Sequence, residues 1–510
     1  MQKISNLKLK PFESDRELLI KACKVAGVLP KDVKHFKIIK KSLDARRKES
    51  VFFNCTVELS TEKIQLTEKV YGKVKNCGEV LVVGAGPAGL FCALDLLRYG
   101  LKVTLIERGK SVDERIKSVD NFINHKILDK DCNIQFGEGG AGAFSDGKLN
   151  TGVNSVFAKE VIEDFLNFGA PTEIGYLQKP HIGSDKLKGV VKNLRNEIIR
   201  LGGKVLFSNK LTGITVSGNK VTSVTINGKI QYFDEVVLAI GHSARDVYEF
   251  LNNAGVKMES KDFAVGLRIE HLQKDVNFAQ YGNSCTLKGM PVADYKLVTN
   301  QNGRGVFTFC MCPGGFVMPS QSEVETIVVN GMSNFMRDGK NANSAIICQV
   351  SKKDFGNGLF GGVNYQKQLE KTAFELGGGD YKAPCLLTGD YLSGKISSSF
   401  GKVEPTYSMG VTKADLSKLF SNEINACLKN AIIDMGKKIK GFDCYDGVLT
   451  GVESRTSSPI KILRGDNLAS VSAWNLYPCG EGCGYAGGIT SAGADGKRVA
   501  KAIAIKYGAN

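Results

Sequence analysis

The hexad Gly84-Ala85-Gly86-Pro87-Ala88-Gly89 stands between an apolar run and an amphipathic one, and it constrains the fold more than any other feature. Glu79–Val83 reads as a short buried strand, Ala88–Tyr99 as a helix and Lys102–Ile106 as a second strand, a βαβ unit that implies a parallel sheet. In a GxGxxG turn so placed, Gly84 permits the tight bend, Gly86 lets a pyrophosphate approach the backbone, and Gly89 lets the helix lie close to the strand. The helix start then offers free N–H groups and the positive end of its dipole to the phosphates. Glu107, closing the second strand, is placed to accept hydrogen bonds from both ribose hydroxyls. It would repel a 2′-phosphate, which argues against NADP at this site. A plain glycine turn needs no such carboxylate. Arg108 and Arg115, which follow, are candidates to reach adenosine or pyrophosphate, with a solvated surface arginine as the equal alternative for Arg115.

A chain of 510 residues is too long for one core, and three domains are expected. Residues 1–76 read as a small α+β unit: strand Lys3–Leu9, helix Asp15–Val25, strands His35–Leu43 and Ser50–Leu59, with a charged hairpin turn at Asp44–Lys48. Residues 77–254 and 446–510 form a discontinuous nucleotide-binding domain, and residues 255–445 an inserted α+β cap. Within the former, helix Leu187–Leu201 and strand Lys204–Phe207 precede a three-stranded meander with turns at Ser217–Asn219 and Asn227–Gly228, then strand Glu235–Ile240. Strand Ser472–Tyr477 and helix Thr490–Tyr507 close the chain. No apolar run approaches the roughly 20 residues that span a bilayer, and the lysine-containing N-terminus has no apolar signal core, so a cytoplasmic address is expected. The net charge of +16 is spread along the chain, which reads as a solvated surface and argues against nucleic acid as the partner.

Later segments separate FAD from NAD by resemblance. Val237-Leu238-Ala239-Ile240-Gly241 resembles the strand that returns under the nucleotide in glutathione-reductase-like flavoproteins, and the meander, with Leu211 at its start, looks like theirs. Leu476-Tyr477-Pro478-Cys479-Gly480-Glu481 resembles their second FAD motif, with Glu481 where most of them carry aspartate. The helix opening at Gly488-Ile489-Thr490 would set its positive end beside the flavin pyrimidine edge. Over nearly the whole chain, the strings Phe136–Leu149, Gly241–Asp246, Phe309–Gly315, Glu453–Pro459 and Lys41–Arg46 are similar to those of uncharacterised bacterial FAD-dependent dehydrogenases, also called NAD(FAD)-utilising dehydrogenases. The resemblance implies a single Rossmann-like FAD domain, with the glycine loop that holds Gly139, Gly140 and Lys148 facing the flavin and pyrophosphate. Lys148 would neutralise a phosphate or the flavin N1 region.

Hydride chemistry also needs substrate groups beside flavin N5. With five histidines, the field is narrow: His271, Arg268 and Glu270 open the cap, with a structural ion pair as the alternative, while His242 reads as a turn cap. Arg455, in a Ser/Thr/Pro-rich turn before the second motif, is the candidate for a substrate anion or the flavin edge. Cys310/Cys312 and Cys479/Cys483 invite a redox reading, but the spacings are those of neither a CxxC couple nor a zinc site. Small buried thiols near the flavin, and no metal, are the expectation. Lacking a second GxGxxG, the chain reads as an FAD-dependent oxidoreductase moving a hydride to or from a small organic substrate, with NAD(P)H binding transiently. The alternatives are a flavoprotein acting on or binding RNA, and a non-catalytic flavin-binding regulatory module.

Overall fold

Residues 1–64, 70–152 and 155–509 are described by a computed structural model. The fingerprint strand Glu79–Val83 lies at the centre of a five-stranded parallel sheet. Glu235–Leu238 and Leu476–Pro478 flank it on one side, Lys102–Glu107 and Lys204–Phe207 on the other. Its strands are almost uniformly apolar because helices cover the sheet, as parallel sheets require. The meander Leu211–Ser217, Lys220–Ile226 and Lys229–Gln231 forms as expected, each hairpin turning on an Asn/Gly pair.

Helix Pro87–Tyr99 and helix Ile489–Lys506 pack together over the sheet at backbone distance. A Cβ on Gly89 would stand 1.8 Å from the Gly84 carbonyl oxygen, and one on Gly496 2.1 Å from that of Ala88. Between the helices lies a buried charge cluster. Lys497 Nζ is 2.9 Å from Asp95 and 2.6 Å from Asp164, while Arg98 meets Asp164 at 2.8 Å. One lysine thus joins the first and last helices of the domain to helix Val156–Asn167, and its desolvated charge is balanced by two carboxylates.

The middle region is built on a seven-stranded sheet in the order Val298–Gln301, Arg304–Cys312, Asn341–Val350, Phe263–Leu272, Val448–Glu453, Ala383–Leu387, Val411–Lys413. All neighbours are antiparallel except the last pair. Strand Val448–Glu453 hydrogen-bonds in the interior of this sheet, so the cap extends past its expected end at 445. Its uniformly buried residues read equally well as a strand of either domain. The small N-terminal unit is a three-stranded antiparallel sheet, with Phe52–Ser60 in the middle, covered by helix Asp15–Ala26. It is tied to the rest through a bridge between Lys41 and Leu177. Among the described residues no helix is long and apolar enough to cross a membrane.

Replacing Gly496 by valine forces the two helices apart against backbone, and should lower unfolding stability by about 3 kcal/mol or abolish folding, read by urea denaturation. A variant as stable as the parent would contradict the close packing.

Candidate functional site

A cavity of about 340 Å³ runs from the fingerprint to the cap sheet. At one end stand Glu107, Arg108, Phe136 and Leu211; in the middle Gly84, Gly86, Pro87, Ala88 and Gly140. At the far end, Lys148, Gly241, Glu481, Gly488 and Ile489 meet the cap residues Phe309, Cys310, Asn330, Glu453 and Arg455.

The cradle is built from the backbone. Gly86 caps helix Pro87–Tyr99 with proline in its first turn, so the helix start faces the cavity. The Gly139 N–H donates to the Ala85 carbonyl at 2.8 Å, which lays the 136–149 loop against the fingerprint. Glu107 holds the same junction: Oε2 accepts from Ala85 N at 2.8 Å, and Oε1 from Gly109 N at 2.9 Å and Gly137 N at 3.0 Å. Its carboxylate faces the cavity and also knits three turns together. A Cβ on Gly86 would meet only the Gly140 Cα, at 3.8 Å, so the space beside this glycine is open for a ligand rather than filled by protein. That opening, the helix start and the adjacent carboxylate fit a dinucleotide. The second motif is fixed from behind, where Asp495 Oδ2 accepts from Gly480 N at 2.9 Å and Asp495 pairs with Arg464 at 2.7 Å.

Several sequence candidates lie elsewhere. Arg115 is fully buried and does not line the cavity; it donates to the carbonyls of Asn133 and Ile134 at 2.8 Å, Glu138 at 2.7 Å and Gly140 at 2.8 Å. It supports the glycine loop from beneath, because the helix face that bears it is packed inward. Ala85, Gly89, Gly139 and Gly480 likewise form the layer behind the cavity wall. His271 stands in the cap core with Nε2 2.8 Å from the Phe442 carbonyl. Side chains alternate along a strand, so His271 points to the opposite sheet face from Arg268 and Glu270. Arg268 is buried behind the floor, paired with Glu453 at 3.1 Å and donating to the Cys310 carbonyl at 3.2 Å. The Lys148 ammonium is bound by the Met311 carbonyl of the cap.

Arg455 reaches the cavity wall with its guanidinium already engaged. It donates to Glu370 at 3.0 and 2.8 Å, to Ser243 at 3.1 Å and to Ser322 at 2.6 Å. Arg245 grips the same carboxylate at 2.7 and 3.0 Å. Burial pushes the Glu370 carboxyl up, but the two guanidinium ions overcome it and hold the group well below the usual carboxylate range. Burial, and after it the charges of Arg455 and Arg245, bring His242 down to about 3, so its ring is neutral.

At the cap end, burial raises both Glu453 and Glu481 to about 7, against the pull of Arg268 and Lys261 respectively. The Cys310 thiol is lowered to about 6 by its hydrogen bond with Cys312, then by Arg268 and Lys148. Glu370 and Asn330 carry no signal in the sequence, since each comes from a segment remote from the motifs.

Residues 262–456 match the family described as FAD-dependent protein, C-terminal domain-like, and residues 78–270 match pyridine nucleotide-disulphide oxidoreductase. Residues 1–60 match a domain of unknown function. An uncharacterized protein of Clostridium beijerinckii is 43% identical over 527 residues, covering 99% of both chains. The chain belongs to that protein's family, within the FAD-binding oxidoreductases. The chain also resembles, over 141 residues at 27% identity, a ribosomal RNA dihydrouridine synthase of Haemophilus influenzae, covering 27% of this chain and 32% of that one. Among solved structures, CtdE in complex with FAD is similar at 13% identity with a TM-score of 0.34, covering 84% of each chain. An L-amino acid deaminase from Proteus myxofaciens is similar at 13% identity with a TM-score of 0.35, covering 92% of this chain and 95% of that one.

Glu370→Gln should cost about 3 kcal/mol at pH 7, because it leaves two buried guanidinium ions facing an uncharged group. The folded pKa lies below that of the unfolded chain, so the carboxylate's contribution is complete above about pH 4.3 and fades as the pH falls through the folded value. Urea titrations of both proteins should therefore diverge at neutral pH and converge on acidification; a constant gap would refute this role.

Proposed function

We propose that the cavity binds FAD with adenosine toward Glu107 and Leu211, pyrophosphate at Gly84–Gly86 and Gly140, and the flavin ring between Lys148 and Gly488–Ile489. The observation that carries this reading is the open face of Gly86 at a helix start, continuous with a chamber floored by the cap. Bound there, FAD would supply two-electron hydride chemistry. The chain's own residues orient and enclose it. The positive end of helix Ile489–Lys506 and the Lys148 ammonium favour negative charge at the ring end. Glu453 and Glu481, raised toward neutrality, can hold or release a proton at their carboxyl oxygens near pH 7. The cap supplies the substrate side through Phe309, Asn330 and Glu453, a mixed lining suited to a small organic molecule. NAD(P)H enters only transiently as the reductant.

A second reading, a flavoprotein acting on RNA, is supported by the similarity to the ribosomal RNA dihydrouridine synthase. Lys3, Lys8, Lys37 and Lys40 are exposed on the small N-terminal sheet, with the Lys8 ammonium 4.9 Å from the Phe52 ring centre. Binding of ribosomal RNA that weakens steeply with salt would favour it, and no binding at low salt would exclude it.

Gly86→Val tests the cofactor site itself. The backbone there, φ −76°, accommodates valine, and Gly140 Cα at 3.8 Å is an ordinary contact. The variant should fold with unfolding stability within about 1 kcal/mol of the parent, yet bind FAD about 100-fold more weakly, some 2.7 kcal/mol. Undiminished FAD binding in calorimetric titration would sink the assignment of the pyrophosphate.

A further inference from the structure

The cavity floor holds two thiols to which the reading above gives no task. Cys310 and Cys312 end strand Arg304–Cys312 at a slip in its pairing with Asn341–Val350. Phe309 opposes Ala345 and Cys312 opposes Asn343, so Cys310 and Met311 together face Ser344. Cys310 accordingly adopts φ +43°, a left-handed conformation that costs a non-glycine residue roughly 1 kcal/mol or more. Bulges of this kind re-aim a side chain and cluster at active sites. Here Cys310 lines the cavity, and Cys312 lies buried beneath it. The Cys312 thiol donates to the Cys310 carbonyl oxygen at 3.3 Å.

Two cations clamp this turn. Arg268 donates from both terminal nitrogens to the Cys310 carbonyl at 3.2 Å, and Lys148 holds the carbonyl of Met311, the residue between the thiols. Their charge favours a thiolate at Cys310. Other cysteines differ. Cys479 reaches the same cavity, but burial pushes its thiol well above the usual range, and Cys483 behind it goes up to about 12. Cys348 and Cys427 meet within the cap, away from the cavity, and burial takes Cys348 to about 12.

We propose that Cys310 and Cys312 form a dithiol–disulfide couple that exchanges two electrons with the cofactor across the cavity. The proposal rests on the FAD reading. Oxidation breaks two S–H bonds, forms one S–S bond, and passes two electrons and two protons to oxidised FAD; reduced FAD returns them and restores both thiols. Cys310, facing the cavity, is the sulfur in contact with the cofactor side, and buried Cys312 is its resolving partner.

The test uses the full chain loaded with FAD, oxidised with diamide, freed of reagent and titrated anaerobically with dithionite. The couple predicts that oxidised protein consumes about twice the reductant needed by its FAD alone, while free thiols rise by about two. Alkylation and peptide mass mapping should locate a Cys310–Cys312 link before titration and none after it. Cys310→Ser and Cys312→Ser should each consume only the FAD equivalent, and Cys348→Ser should behave as the parent. Reductant matching FAD alone, with an unchanged thiol count in the parent protein, overturns the couple whatever the variants do. If the chain takes up no FAD, the cofactor reading fails, and the couple falls with it even where mapping finds the link.

Discussion

The carboxylate of Glu370 is the joint on which the site depends. It comes from the cap helix Gly361–Leu376, whereas Arg245 comes from the nucleotide-binding domain and Arg455 from the segment that leads back to it. Three parts of the chain separated by long intervals are thereby held at hydrogen-bond distance, with the charge of one carboxylate shared by two guanidinium ions. In a desolvated setting such an arrangement tolerates little displacement, because any opening leaves a buried charge unpaired. Cap and fingerprint consequently face one another across a chamber of defined width. Arg455 belongs to this joint, and its presence in the cavity wall is a consequence of the role.

A parallel division of labour recurs throughout the chain. Around Gly84, Gly86 and Gly140 the cavity wall is glycine backbone, and charged side chains also act one layer behind it. Arg115 organises the glycine loop, Asp495 and Arg464 the second motif, and Lys497 the helices that carry both. A flat dinucleotide needs close approach and aligned N–H groups more than it needs charged contacts, so the positive groups are spent on shaping the surface. The cap end is different. There Cys310, Asn330 and Glu453 present side chains, as a chamber for chemistry requires.

What the sequence discloses follows the range of the interactions. The βαβ unit, the meander and the final helix are legible because strand and helix periods and the Asn/Gly turns are local. Glu107 is legible through its spacing from the fingerprint. The seven-stranded order of the cap is not, since its pairings join residues far apart, and Val448–Glu453 carries no mark of which sheet it enters. The same limit explains the arginines: Arg115, Arg268 and Arg455 have sequence settings compatible with ligand contact, but the partners that occupy them, loop carbonyls, Glu453 and Glu370, lie at distances along the chain that no pattern encodes. His271 was a candidate by its neighbours in sequence, and strand alternation turns it the other way.

The central claim is that this chamber is an FAD site, and the chromophore itself decides it. Protein purified without added cofactor, then denatured, should release FAD in about a one-to-one ratio, identified by chromatography and absorbance, or take up that amount on reconstitution. Release of NAD in place of FAD, or a folded protein that takes up neither, would contradict the account.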